Sequence, residues 1–241
     1  MKEQKESKYS FLQTLVVAVV CAAFVRSFFF EPFHIPSSSM KPELLVGDYI
    51  FVSKFSYGYS RYSFPFGINF FEGRVFKSSP KRGDVAVFRL PTNPRINYVK
   101  RIIGLPGDKI QIKSGVVYIN DVQVSKINDG FFKDENYEMD LEIPQFTETL
   151  PEGKTIKTLD QRDSPQDDTG IYEVPQGHYF MMGDNRDNSQ DSRFQDLVGF
   201  VPEQNLVGRA LFVFFSSEKP VWQIWNWTRD IRFERIFKKL N

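Results

Sequence analysis

Residues 11–30 form a nearly unbroken apolar run, interrupted by Gln13, Thr14, Arg26 and Ser27, and no other stretch restricts the fold so strongly. About 20 apolar residues is the length a helix needs to cross a bilayer core. Arg26 lies near the far end, where a long side chain can reach the headgroups. Lys2, Lys5 and Lys8 precede the run, partly offset by Glu3 and Glu6, and no Lys or Arg follows until Lys41. The positive-inside rule therefore puts residues 1–10 in the cytoplasm and the body on the far side of a single span. A cleavable leader is the competing reading, because Cys21-Ala22-Ala23 supplies small residues after the apolar run. Phe24-Val25 and Phe28-Phe29-Phe30 carry the run past a usual leader core and favour the anchor.

The chain has 241 residues, room for one large domain or two small ones behind that span. A net charge of +1 gives no field that would attract nucleic acid. Cys21 is the one cysteine and sits inside the apolar run, so neither an internal disulfide nor a thiolate metal site can form. His34 and His178 are the only histidines, which argues against a histidine-rich metal centre. The 25 phenylalanines suit strands and membrane interfaces.

Directly after the span comes Ile35-Pro36-Ser37-Ser38-Ser39-Met40-Lys41-Pro42-Glu43-Leu44-Leu45. Each proline fixes its own φ and steers the preceding residue away from helix. Three hydroxyls are thus held on a stiff, extended backbone beside the membrane. The segment reads either as a Ser/Pro linker or as a serine nucleophile held near the bilayer.

From there the pattern is β. Asp48-Tyr49-Ile50-Phe51-Val52, Val85-Ala86-Val87-Phe88, 97–103, Ile110-Gln111-Ile112 and Val116-Val117-Tyr118-Ile119 read as strands. Asn120-Asp121 predicts a hairpin turn into Val122-Gln123-Val124. Gly-Asp recurs at 47, 83, 107 and 183 beside these strands, which is turn chemistry, since no phosphate-loop pattern accompanies it. Residues 57–80 read as an irregular loop or mobile-tipped hairpin. Between 126 and 173 acidic residues outnumber basic ones and apolar periodicity weakens, as in an inserted subdomain remote from any active site. The β pattern resumes at 176 and ends with Leu211-Phe212-Val213-Phe214-Phe215. Phe233, Ile236, Phe237 and Leu240 follow helical spacing among Arg232, Arg235, Lys238 and Lys239, behind Trp222, Trp225 and Trp227. That predicts a basic amphipathic helix, lying on the membrane or packed on the body.

A serine nucleophile needs a base. His34 is tied too closely to the serines by its Pro-bounded connection, His178 sits in an apolar run, and no G-x-S-x-G elbow is present. Ser38-x-x-Lys41 matches an S-x-x-K pattern, but Pro42 disfavours helix there and no K-T-G or S-D-N accompanies it. Lys100 is the better base. Strand alternation puts Tyr98, Lys100 and Ile102 on one face with no adjacent acid. Burial there lowers a lysine's pKa, and a neutral lysine can take a serine proton. A lysine guarding a strand edge is the plainer alternative. The segment 183–193 is the densest polar cluster. It reads as an exposed Asx-rich loop or as a loop that orients site groups. A calcium loop fails because Ser192 and Val198 stand where Gly and Glu are needed.

Three segments together resemble the bacterial type I signal peptidases, membrane-bound serine/lysine endopeptidases. They are Ile35-Pro36-Ser37-Ser38-Ser39-Met40-x-Pro42-x-Leu44; Arg82-Gly83-Asp84-Val85 with Tyr98-Val99-Lys100-Arg101 through Gly104-Leu105-Pro106-Gly107-Asp108; and Gly183 to Arg193. Glu43 stands where members often have Thr, and one span is present where some have two.

The resemblance implies a mainly β fold. A transmembrane helix over 11–30 leads into an antiparallel β-rich catalytic body over 31–125 and 176–215. A smaller, non-catalytic β subdomain over 126–175 is inserted, and 216–241 forms a membrane-proximal amphipathic helix. It implies Ser39 as nucleophile, Lys100 as general base, and Ser37 with the Ser39 N–H as oxyanion hole. Ser189 would orient Lys100, supported by an Asp191–Arg193 pair. Ile35, Met40, Leu44, Ile50, Val87 and Val99 match positions lining pockets for small residues at −1 and −3. The implied partners are signal peptides of exported preproteins and the lipid bilayer of the bacterial cytoplasmic membrane, with no cofactor, metal or nucleic acid. A catalytically inactive anchored β-domain that binds a partner is the alternative. A self-cleaving regulator would be expected to carry a DNA-binding segment instead of an anchor.

Overall fold

The structure, a computed structural model, describes residues 2–64, 72–134, 141–219 and 230–240. Helix α1 spans Lys2–Phe28. Its part Ser10–Phe28 has a mean hydropathy of 2.0, is 6% buried, and is long and apolar enough to cross a membrane. The helix stops at a cluster of aromatic rings. The Phe28 ring meets Tyr59 and Phe64, and the Tyr59 hydroxyl donates to the Phe28 carbonyl at 2.7 Å. Arg26, expected at the headgroups, pairs with Glu31 at 2.8 Å across the turn into the first strand.

Strand β1 (Phe30–His34) opens a seven-stranded antiparallel sheet with β2 (Asp48–Ser53), β3 (Val85–Arg89), β4 (Asn97–Gly104), β12 (His178–Met182), β13 (Val201–Pro202) and β14 (Leu206–Ser216). Their order is β1-β2-β14-β3-β4-β12-β13. A second sheet joins β5 (Lys109–Lys113), β6 (Val116–Ile119), β7 (Val122–Gln123) and β11 (Tyr172–Glu173). Residues between them form a third sheet of β8 (Ser125–Asp134), β9 (Leu141–Thr149) and β10 (Thr155–Leu159). Tyr172 and Glu173, at the end of the stretch expected as one insertion, pair with β5.

The local signals explain the turns. Asn120 and Asp121 both take positive φ, 53° and 66°, as a two-residue hairpin with native twist demands. At Gly47-Asp48, Gly83-Asp84 and Gly107-Asp108 one turn recurs. Glycine sits at φ 83–90°, and the aspartate amide donates to the carbonyl three residues back. The same aspartate's carboxylate accepts the amide of that residue, Leu45, Lys81 or Leu105, at 2.8, 3.1 and 2.6 Å. Position i+2 of such a turn suits glycine, and Pro106 presets i+1 in the third copy. Gly183-Asp184 departs from this pattern, and Asp184 reaches a distant arginine.

The core falls into three clusters. Ile35, Met40, Leu44, Ile50, Val52, Val85 and Val87 share the cluster under the serine segment, with Val99 packed against it. Ala86, Phe88, Ile102 and Met181 share a second cluster. Ile103 and Phe180 join the residues of β5 and β6 in the third.

Over the described residues 231–240 the expected C-terminal helix is corrected by the structure. There the chain makes one 3-10 turn (Phe233–Arg235) and then runs beside β14. Phe237 donates to the Val213 carbonyl at 2.7 Å, Val213 donates to the Lys238 carbonyl at 2.9 Å, and Phe237 has φ 64°. The reason is electrostatic. Arg235 Nη2 is 2.5 Å and Arg232 Nη2 3.8 Å from the buried Asp48 carboxylate, and reaching it pulls this segment off helical geometry. Leu240 is buried, whereas Phe233 and Phe237 are exposed, so the spaced apolar positions do not share one buried face. Trp222, Trp225 and Trp227 lie outside the described residues.

Candidate active site

An open cleft of about 710 Å³ lies between two strand edges. One wall is β1 and its continuation, with Phe33, His34, Ile35, Pro36, Ser37, Ser39 and Met40. The other is Ile96, Asn97, Tyr98, Val99 and Lys100 at the start of β4. Along 97–100 β4 pairs on one side with β3, and its pairing with β12 begins only at Arg101, so the edge facing the cleft is unpaired there. Among the described residues β1 pairs with β2 alone. Strands β1 and β4 are separated by three others in the sheet, so the sheet must curl for both to line one groove. Asp187, Asn188, Ser189, Gln190 and Phe194 complete the lining.

Ser39 and Lys100 meet at its floor. The Lys100 amine donates to Ser39 Oγ, and both side chains are buried. Burial lowers the amine to about 8, against the upward pull of Asp191 and Asp184. Desolvation penalises the ammonium, so the neutral fraction near pH 7 rises to roughly a tenth, far above that of a free lysine. The amine also lies 5.5 Å from the Tyr98 ring centroid. Ser37 Oγ is 3.4 Å from Ser39 Oγ.

The 183–193 loop wraps the serine segment from behind. The Asn185 amide donates to the Ser39 carbonyl at 3.1 Å, and its side chain donates to the Ser38 carbonyl at 3.2 Å. Asn188 Nδ2 donates to Ser38 Oγ at 2.6 Å. Gly183 is needed for close approach: a Cβ there would fall 2.2 Å from Ser189 Oγ and 2.5 Å from the Ser39 carbonyl oxygen. Asp191 is fully buried and accepts Ser189 Oγ at 2.7 Å, the Gly183 amide at 3.0 Å, and both Nε and Nη2 of Arg193 at 2.8 and 2.9 Å. Burial pushes its carboxyl upward, and the Arg193 charge with these hydrogen bonds outweighs it, holding it below the usual carboxylate range. The Ser189 hydroxyl proton is therefore directed at Asp191. Its lone pairs remain for a lysine donor, although the described hydrogen bonds of Lys100 include none to Ser189.

Of the expected pocket residues, Ile35, Met40 and Val99 line the cleft. Leu44, Ile50 and Val87 do not; they are fully buried in the cluster behind it. Reading from residues missed Asn185, Asn188 and the bidentate Arg101–Asp184 pair, 2.7 and 2.6 Å. Both members of that pair are essentially solvent-free, and Arg101 follows the lysine on β4. Strand alternation next to Lys100 pointed Arg101 to the opposite face, which was the available signal.

A serine hydroxyl touched by a desolvated lysine, at the floor of a groove with unpaired strand edges, is a site suited to nucleophilic attack on an extended peptide. A family model described as signal peptidase, peptidase S26, matches residues 8–215. Signal peptidase I of Rickettsia typhi (strain ATCC VR-144 / Wilmington) is 41% identical, covering 92% of this chain and 90% of that protein. Signal peptidase I of Rickettsia bellii (strain OSU 85-389) is 38% identical, covering 95% and 84%. A crystal structure of a signal peptidase I from Enterococcus faecalis V583 shares 30% identity, covers 55% of this chain and 97% of that one, and has a TM-score of 0.34. The chain belongs to the peptidase S26 family of signal peptidases, and it is a serine endopeptidase.

Proposed function

We propose that this chain removes signal peptides from exported preproteins, cutting after small residues at −1 and −3 with Ser39 as nucleophile and Lys100 as general base. The observation that carries this reading is the buried contact between the Lys100 amine and Ser39 Oγ. In the neutral state Lys100 takes the Ser39 proton as Oγ attacks the scissile carbonyl carbon. The oxyanion that forms is held by the Ser37 hydroxyl and the Ser39 N–H, donors aimed at charge that develops only in the transition state. The Lys100 ammonium then passes its proton to the leaving amine, which frees the mature protein. Water, deprotonated by Lys100, attacks the acyl-serine ester and releases the signal peptide as a carboxylate. Each step is proton transfer and acyl transfer, so the chemistry calls for no metal or cofactor.

Substrate lies extended in the groove, pairing with an unpaired strand edge. Ile35, Met40 and Val99 shape the shallow pockets directly. Leu44, Ile50 and Val87 set their depth from behind, and larger side chains are rejected by steric exclusion. Ser189 orients Lys100, and Asp191 with Arg193 orients Ser189. The anchor over 11–30 spans the bacterial cytoplasmic membrane once, with residues 1–10 in the cytoplasm. The body, 31–125 with 176–215, carries the site on the outer face, where the cleavage site emerges from lipid. Strands β8, β9 and β10 form the inserted part, and 230–240 closes the body beside β14.

Cleavage of a purified exported precursor in detergent tests the reading. Ser39→Ala and Lys100→Ala are each expected to abolish it while circular dichroism stays unchanged. Precursor cut by both variants contradicts it, and a wild-type chain that binds precursors without ever cutting one favours the binding module.

A further inference from the structure

The three-stranded sheet was expected to stand apart from the chemistry, yet it carries a buried ionic strut into the active-site loop. Glu148, on β9, is 1% exposed, and its Oε2 accepts Arg186 Nη2 at 2.6 Å. Its Oε1 accepts the hydroxyl of Thr158, on neighbouring β10, at 3.1 Å. Arg186 Nε is buried without a partner, and Glu148 is the one carboxylate in salt-bridge contact with this guanidinium among the described residues. Three more bonds join the two regions. The Leu159 amide donates to the Asp184 carbonyl at 2.8 Å, and the amides of Gln161 and Arg162 donate to Asp187 Oδ2 at 2.6 and 3.1 Å. The segment held in this way, 184–188, is the one whose Asn185 and Asn188 grip Ser38 and Ser39. The Arg186 carbonyl also accepts Arg193 Nη2 at 2.5 Å, which ties the strut to the group that holds Ser189.

We propose that Glu148 is a positioning residue for the reaction of Ser39, acting through Arg186 and the 184–188 segment, so that the three-stranded sheet sets the place of the nucleophile. The inference rests on the reading of Ser39 as nucleophile. Removing the carboxylate's charge leaves a buried guanidinium unpaired, a large penalty that the loop relieves by moving Arg186 toward water. Arg186 cannot move without shifting Asn185, and with it the Ser39 carbonyl. A displacement of about 1 Å at the reacting atom costs on the order of 100-fold in rate. The unpaired strand edges of β1 and β4 stay where they are, so backbone pairing with substrate is spared even though Asp187 and Asn188, which complete the lining, shift.

The test uses the full-length chain in detergent and the precursor assay, below the melting temperature of each variant. Glu148→Gln is expected to lower kcat by roughly 10- to 100-fold. KM should change by less than about threefold, because uniform binding is kept. Glu148→Asp, which keeps the charge, should recover part of the lost kcat. If Glu148→Gln does not fold, Thr158→Val, which only loosens the carboxylate, carries the test, with kcat down and KM unchanged. A folded Glu148→Gln or Thr158→Val with wild-type kcat overturns the inference, as does a loss confined to KM. Ser39→Ala run beside them separates the two claims. If it still cuts, the reading of the nucleophile fails; if it is inactive while Glu148→Gln is unimpaired, only the strut fails.

Discussion

Lys100 is held in a state the fold itself penalises. Its amine is depressed to about 8 by burial, whereas an unfolded lysine titrates near its usual value. As pH falls through the interval between those values, the unfolded chain gains a proton that the folded chain does not, so stability falls. The cost is fully present below pH 8 and disappears above the unfolded value. Lys100→Met should therefore yield an inactive protein that is more stable at pH 7, by about 1–3 kcal/mol. Denaturation of both proteins at pH 7 and at pH 10.5 checks this: the gap should narrow at the higher pH, and an equally wide gap would contradict it. Ser37 can be tested by kinetics. Ser37→Ala should lower kcat by roughly 100- to 1,000-fold with little change in KM, as for loss of one oxyanion donor. The place of Lys100 on an apolar strand face was legible because alternation is a local fact, whereas its use as a base, against the strand-edge alternative, was implied only by the family resemblance. Asn185 and Asn188 were not legible, because asparagines in a turn-rich loop look alike whether they face water or grip Ser38, beside the proposed nucleophile, 147 or 150 residues away.

At the scale of elements, turns followed sequence closely, since each is decided within four residues. Asn120-Asp121 and the repeated Gly-Asp turn are cases where chemistry and backbone angle agree. The C-terminal segment shows the opposite. Its apolar spacing is helical, but two arginines are drawn to Asp48, a partner more than 180 residues away that no local pattern reveals. Arg235→Ala should leave that carboxylate with Arg232 and Ser216 as its side-chain partners among the described residues and cost about 2–4 kcal/mol in denaturant unfolding. Loss below about 0.5 kcal/mol would mean that the tie contributes nothing to holding 230–240 on β14. The 183–193 loop is limited by space. Gly183→Ala places a methyl inside Ser189 and the Ser39 carbonyl. Activity should fall further than stability, read from kcat/KM and melting temperature on one sample.

The described residues form a curled seven-stranded sheet with two smaller sheets behind one apolar helix, and the groove opens where the chain leaves that helix. Six residues, 29–34, separate the end of the helix from Ile35, where the serine segment begins. The order of anchor, serines, strand lysine and polar loop was legible along the chain. The curl that brings β1 and β4 together was not, since it belongs to no single strand. Nor was the tie from the three-stranded sheet, whose acidic, weakly periodic sequence concealed a buried Glu148. The central claim is that a neutral Lys100 activates Ser39, and the pH dependence of kcat/KM for precursor cleavage by the full-length chain tests it most directly. The account predicts a rise of about tenfold per pH unit below an apparent pKa near 8, then a plateau, since only the neutral amine accepts the serine proton. A profile flat down to pH 5, or a rise centred in the histidine range, would contradict a lysine base.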